Sequence, residues 1–310
     1  MGAMPRPSAG FRLFAALAAL GAWALVAVGG LVRVTESGLG CPDWPLCSGR
    51  VIPRSEKTAI FEYSHRATAA TVTILLSIVA VWAWRRYRDR PDIVVPALVA
   101  VAFVPGQALL GAVVVWLELP SWIVGVHFLV GALMLGVAVV TAVAAWRDEP
   151  AGATPGFTRL AVWTAGAGLV LVAAGAAVVS AHADGACGTQ WPACNGSFVA
   201  GGGDAAIQVV HRLLAYTVAA LAVALAVRAI RGAGPLFAGI APLVAVIAQL
   251  SFGISLVLVG EGRAHEPLAA LHVAGSGAVW ASLVALAALV LSPWPVRSDR
   301  ARAAAPARAR

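Results

Sequence analysis

Four histidines of this 310-residue chain, His65, His127, His211 and His272, fall into two pairs repeated almost in register. His65 and His211 are 146 residues apart, and His127 and His272 are 145 apart. Each lies in or beside a long apolar segment, where an ionisable side chain is costly and marks a functional site. Zinc or copper would draw further Cys, His or carboxylate ligands, and these segments offer few. Haem iron needs only two axial ligands, one on each side of a flat macrocycle, and a four-helix bundle can sandwich such a plate. The four imidazoles therefore read as axial ligands of haem iron at two bis-histidine sites. Gly125, Gly131, Gly275 and Gly277 near them are expected to make room for the macrocycle. His182 and His265 have no matched partners and read as loop or interface residues.

The two copies differ where reactivity is concerned. Glu62 stands three residues before His65, and Gln208 stands three before His211. On a helix, i and i+3 share a face, so one site has a carboxylate beside it and the other an amide of similar shape. A carboxylate at the edge of a low-dielectric site is a candidate general base, and an amide is not. The first half thus reads as the chemical half and the second as an electron-transfer or structural copy. A di-iron carboxylate site needs two Glu-x-x-His motifs and two further carboxylates, and Gln208 removes one motif. Arg66 and Arg212 directly follow the first histidine of each pair. The bidentate guanidinium suits carboxylates, which makes both arginines candidates for haem propionates.

These residues need a scaffold, and composition says which kind. The chain is 60% hydrophobic and 12% charged, against about 25% charged in ordinary soluble domains. Disorder and a water-soluble globule are both excluded. A membrane span takes about 20 apolar residues, and eight segments qualify: 11–32, 64–84, 93–117, 123–145, 158–181, 209–229, 236–260 and 268–292. The first is too long for a signal peptide and carries no clear cleavage site. With the N-terminus inside, 15 of the 22 Lys and Arg residues fall on the cytoplasmic side, as the positive-inside rule requires. Both termini are then cytoplasmic, in a plasma-membrane, multi-pass topology. The net charge of +8 follows from this bias. The Arg-rich tail 293–310 reads as an anchor at anionic lipid, and no nucleic-acid-binding motif accompanies the charge.

This topology sends two long loops outward, and all four cysteines lie in them. The exterior permits disulfides, and the close pairs favour Cys41–Cys47 and Cys187–Cys194, whether as staples or as redox-active pairs. The duplication extends to these loops, where Asp43-Trp44-Pro45-Leu46-Cys47 matches Gln190-Trp191-Pro192-Ala193-Cys194. Gln107-x-x-x-Gly111 likewise matches Gln249-x-x-x-Gly253. Four helices per unit means both units enter the membrane in the same direction. The expected fold class is an all-α membrane protein. Its eight transmembrane helices would form two tandem four-helix bundles, related by a pseudo-two-fold axis along the membrane normal. The divisions are a cytoplasmic N-terminus (1–10), an N-terminal bundle (11–147), a cytoplasmic linker (148–157), a C-terminal bundle (158–292) and the tail (293–310).

The pattern resembles the haem A synthase family over about residues 11–292. It rests on Glu62-Tyr63-Ser64-His65-Arg66, Gly125-Val126-His127, Val210-His211-Arg212, Leu271-His272 and the two outer cysteine pairs. The resemblance is to the bacterial type with cysteines in both loops. It implies oxidation of a methyl group of haem O to a formyl group, giving haem A for terminal oxidase assembly. It further implies substrate haem O between His65 and His127, a haem b cofactor between His211 and His272, and Glu62 as the catalytic carboxylate. The implied partners are a haem O-producing farnesyltransferase (haem O synthase) and an electron acceptor. The competing reading is a two-haem b-type membrane cytochrome that acts only in electron transfer. It has no need of Glu62.

Overall fold

The computed structural model describes residues 6–53, 55–147, 151–194, 196–199, 202–260 and 264–291. Among them the regular structure is entirely helical: α1 (Ala9–Val34), α2 (Lys57–Arg86), α3 (Pro91–Trp116), α4 (Ser121–Trp146), α5 (Pro155–Ser180), α6 (Gly203–Ile230), α7 (Leu236–Val259) and α8 (His265–Val290). All eight are long and apolar enough to cross a membrane. In hydrocarbon a helix satisfies its own backbone polar groups, so the chain is a multi-pass membrane protein. The Arg-rich tail 293–310, Arg54, Arg263 and residues 148–150 of the expected linker lie outside the described residues.

Two helices start earlier than hydropathy alone indicates. α2 begins at Lys57 rather than 64, and α6 at Gly203 rather than 209. Glu62, Ser64, Arg66, Asp204 and Gln208 lower the hydropathy of these stretches without breaking the helix. At 1.5 Å per residue, the 30 residues of α2 run about 45 Å, well beyond the roughly 30 Å of hydrocarbon. The histidines lie within the helices rather than beside them. They sit about two turns inside.

Helices α1 to α4 contact one another in a ring, as do α5 to α8, and the two groups meet through α1, α4, α5 and α8. α8 is the most enclosed helix, touching α1, α4, α5 and α7, whereas α7 is the least buried. Two indoles cross this junction. Trp23 Nε1 donates to the Ala274 carbonyl at 2.9 Å, and Trp280 Nε1 donates to the Ala132 carbonyl at 2.7 Å. Each uses the second lone pair of a carbonyl, so neither helix loses a backbone bond. Trp280 packs against Gly136, and Trp23 against Gly277. The absent side chains let the bulky rings enter between the backbones.

At the end away from the disulfide loops, Ser8 and Thr154 cap α1 and α5 through their hydroxyl oxygens. Arg90 bonds both carboxylate oxygens of Asp92, and Arg147 donates to the Ala288 and Leu291 carbonyls that close α8. At the other end, both cysteine pairs form disulfides, Cys41–Cys47 and Cys187–Cys194. In the first loop the Asp43 carboxylate accepts backbone N–H bonds from Ser48 and from Gly49, the latter at 2.7 Å. In the second, the Gln190 Oε1 accepts from Gly196 N at 2.9 Å. An acid in one copy and an amide in the other close the same turn.

Two outcomes follow. Trp280 is 7% exposed, so Trp280→Ala should destabilise the protein by about 3–5 kcal/mol, read as a lowered thermal unfolding midpoint in detergent. The Gly49 amide and its neighbour hold the Asp43 carboxyl below the usual aspartate range. A depressed folded-state pKa stabilises above the unfolded pKa and is lost as pH falls through the folded one. Hydrogen-exchange protection of the Ser48 and Gly49 amides should therefore be flat above about pH 5 and decline only below about pH 4, whereas Asp43→Ala should remove it throughout.

Candidate functional site

His65 on α2 and His127 on α4 converge, with ring centroids 6.5 Å apart and planes at 74°. Haem iron takes two histidines as ligands, and a converging imidazole pair of this kind fits such a site. The His65 approach depends on glycine, and the His127 ring also lies over a glycine. A Cβ at Gly29 of α1 would lie 3.0 Å from His65 Cε1, and one at Gly111 of α3 would lie 3.5 Å from His127 Cε1. Each ring thus rests on the bare backbone of the preceding helix.

The second pair repeats this. His211 on α6 rests on Gly175 of α5, where a Cβ would be 3.3 Å from its Cε1. His272 on α8 rests on Gly253 of α7, where the same distance would be 2.8 Å. Nδ1 of His65, His127 and His211 is buried without a hydrogen-bond partner. An unpartnered polar atom in a low-dielectric interior is costly, and an imidazole pair with such atoms suits metal ligation. Among the described residues no three His, Cys, Asp or Glu side chains gather to hold a bare ion. The donor set is two nitrogens on facing rings, which matches an iron already held in a macrocycle.

Glu62 is 6% exposed and pairs with Arg66, whose Nε donates to its Oε1 at 3.0 Å. Its counterpart Gln208, 7% exposed, instead donates from Nε2 to the Asp184 carbonyl at 3.1 Å. The first half therefore holds a buried acid against a single cation, and the second ties the same position to its loop. Arg66 and Arg212 both reach over their disulfide loops. Arg66 Nη1 donates to the Asp43 and Leu46 carbonyls, and Arg212 Nη1 to the matching Gln190 and Ala193 carbonyls. His182 lies in the connection after α5 and bonds Ser121 across the two groups of helices at 3.0 Å, while His265 opens α8.

Part of this site escapes sequence reading. Gly29 and Gly175 stand at an offset of 146, the same as His65 and His211, and that shared offset is the signal that could have found them. Gln107 and Gln249 were visible only as marks of the repeat. Gln107 Nε2 donates to the His127 carbonyl at 3.1 Å, and Gln249 Nε2 lies 3.1 Å from Nδ1 of His272. Both amide oxygens are buried without a partner. Gly125 and Gly277, expected to make space for a macrocycle, instead admit Ser180 and Trp23 between helices. Gly131 and Gly275 face the two glutamines. Spacing along one helix does not reveal which neighbour a glycine faces.

Known proteins share this arrangement of sequence. Residues 12–284 match the COX15-CtaA family, described as a cytochrome oxidase assembly protein. A haem A synthase of Halalkalibacterium halodurans is 31% identical over 266 residues, covering 81% of this chain and 88% of that protein. One of Shouchella clausii is 31% identical, covering 80% of this chain and 87% of its own length. One of Exiguobacterium sibiricum is also 31% identical, covering 66% and 69%. With paired histidines, a one-sided carboxylate and a match across nearly all eight helices, the chain belongs to the COX15-CtaA family of cytochrome oxidase assembly proteins.

Proposed function

We propose that this protein is a haem A synthase, a membrane oxidoreductase that converts the methyl group of haem O to a formyl group and so supplies haem A for terminal oxidase assembly. The observation that carries the reading is the difference between two otherwise parallel sites. Among the described residues only the His65–His127 site has a buried carboxylate, Glu62, and the His211–His272 site has Gln208 in its place. In this reading residues 11–147 form the substrate half and 158–292 the cofactor half, related by a pseudo-two-fold axis along the membrane normal.

His65 and His127 hold haem O, and His211 and His272 hold haem b. The haem b supplies a one-electron redox centre beside the substrate half. The chain itself supplies four things. The paired imidazoles would hold the substrate's iron, leaving the edge of the macrocycle as the place of reaction. The Gly29 and Gly111 backbones set ring position. Glu62 accepts a proton from the methyl carbon or from an attacking water as the substrate is oxidised. Arg66 and Arg212 stand beside the sites and would offset the negative charge of propionates. Haem O arrives from a farnesyltransferase in the same membrane, and electrons leave to an external acceptor. The positive-inside bias puts both termini in the cytoplasm and the sites near the outer face of the plasma membrane.

Replacement of Glu62 by Gln should lower haem A production by about 10² to 10⁴-fold while low-spin haem spectra persist, as measured by pigment extraction. Unchanged haem A would favour the electron-carrying cytochrome instead. His211→Ala or His272→Ala should strip tightly held haem b, whereas His65→Ala or His127→Ala should keep it and lose turnover. Gly253→Val should act like His272→Ala, because the added branches displace the ring. Retention of full haem b in that variant would show that His272 does not depend on the α7 backbone.

A further inference from the structure

The two arginines that follow the ligand histidines share one function and differ in another. Both grip equivalent loop carbonyls: Asp43 and Leu46 from Arg66, at 2.7 and 2.6 Å, and Gln190 and Ala193 from Arg212, at 2.9 and 2.8 Å. That grip anchors each disulfide loop over its helix. Arg66 alone adds a bond from Nη2 to the Cys41 carbonyl at 3.0 Å and one from Nε to Glu62 at 3.0 Å. All three nitrogens of the rigid, planar fork are then engaged. The plane of the guanidinium is set by three loop carbonyls, and the carboxylate is set by the guanidinium.

The loop end of this chain of contacts is closed covalently. Cys41 is 0% exposed and Cys47 2% exposed. The sulfurs pack under Ala59 and Tyr63 at the start of α2. Thiol–disulfide exchange needs access to a sulfur, which this burial denies, and the second disulfide is covered in the same manner by Ala205 and Val209. The bridge holds the Cys41 and Leu46 carbonyls in one small ring, so that a single guanidinium can take both.

We propose that Arg66 is the positioning residue for Glu62, and that the Cys41–Cys47 loop acts on the site mechanically, as a closed clamp on that guanidinium, with no electrons passing through its sulfurs. The inference rests on Glu62 being the working carboxylate. Arg212 has no carboxylate of the chain to place, and within the chain it grips its loop carbonyls.

The test is a double-mutant cycle in the full-length protein in its membrane. Arg66→Met, Cys41→Ser/Cys47→Ser and the combination are compared for kcat and KM with haem O, with haem b per protein as the measure of folding. Arg66→Met should lower kcat about a hundredfold with KM for haem O little changed, and Arg66→Lys should recover part of the loss. Removing the disulfide should lower kcat in the Arg66 protein and do nothing further in Arg66→Met. The proposal is overturned if the two losses multiply, if Arg66→Met keeps kcat, or if it raises KM alone, as a pure propionate ligand would. Should Arg66→Met lose haem b and fail to fold, Arg66→Lys carries the test through a second readout. Its Cys41–Cys47 bridge should be reduced faster by a mild thiol than in the parent, with Cys187–Cys194 as the internal standard. An unchanged rate overturns the proposal. Full turnover in Glu62→Gln would instead remove the underlying assignment, whatever Arg66 does.

Discussion

The structure depends on bringing imidazoles together inside an apolar bundle. A buried ring nitrogen needs a partner, and the interior supplies almost none. Glycine makes the closest approaches possible, at Gly29, Gly175 and Gly253. Gly29, Gly111, Gly175 and Gly253, each on the helix preceding a histidine, let the ring lie against bare backbone. Each helical hairpin thus delivers one imidazole, and two hairpins make a site. Helix pairing, the depth of the histidines and the long outer turns of α2 and α6 serve that convergence.

Duplication supplies two such sites, and the differences between them are chemical substitutions of little steric consequence. Glu62 faces Gln208, and Asp43 faces Gln190. The loop pair shows how conservative the exchange is in shape, since both side chains close the same turn. The helix pair shows how much it changes in electrostatics. Gln208 satisfies itself on a loop carbonyl, but a carboxylate at that depth needs a cation, and Arg66 is turned toward it. A buried charge left without its partner would be strongly destabilising. The acid therefore brings its own positioning apparatus.

Much of this was legible in the chain. Composition and eight apolar segments sufficed for the fold class, because a hydrocarbon solvent leaves the backbone so few options. The pairing of cysteines followed from their confinement to two short loops, and both bridges are present. The four histidines were legible because duplication repeats them at one offset. Hydropathy misplaced the starts of α2 and α6, since it measures affinity for lipid and not helix formation. A helix that rises above the membrane, carrying Glu62 and Arg66 in its outer turns, is invisible to that measure.

What the sequence by itself determined is the set of chemical groups and their doubling: which half carries the acid, which residues are repeated, and how many times the chain crosses the membrane. These are properties of residue type and linear spacing, and a 3.6-residue helical period translates them directly. Only the tertiary structure decided what each group faces. It put glycines behind the imidazoles, turned Gln249 onto His272, and spent Arg66 on loop carbonyls as well as on Glu62. Those relations join residues on different helices and loops, and helix azimuth and loop path are set by packing of the whole bundle, which no single segment encodes.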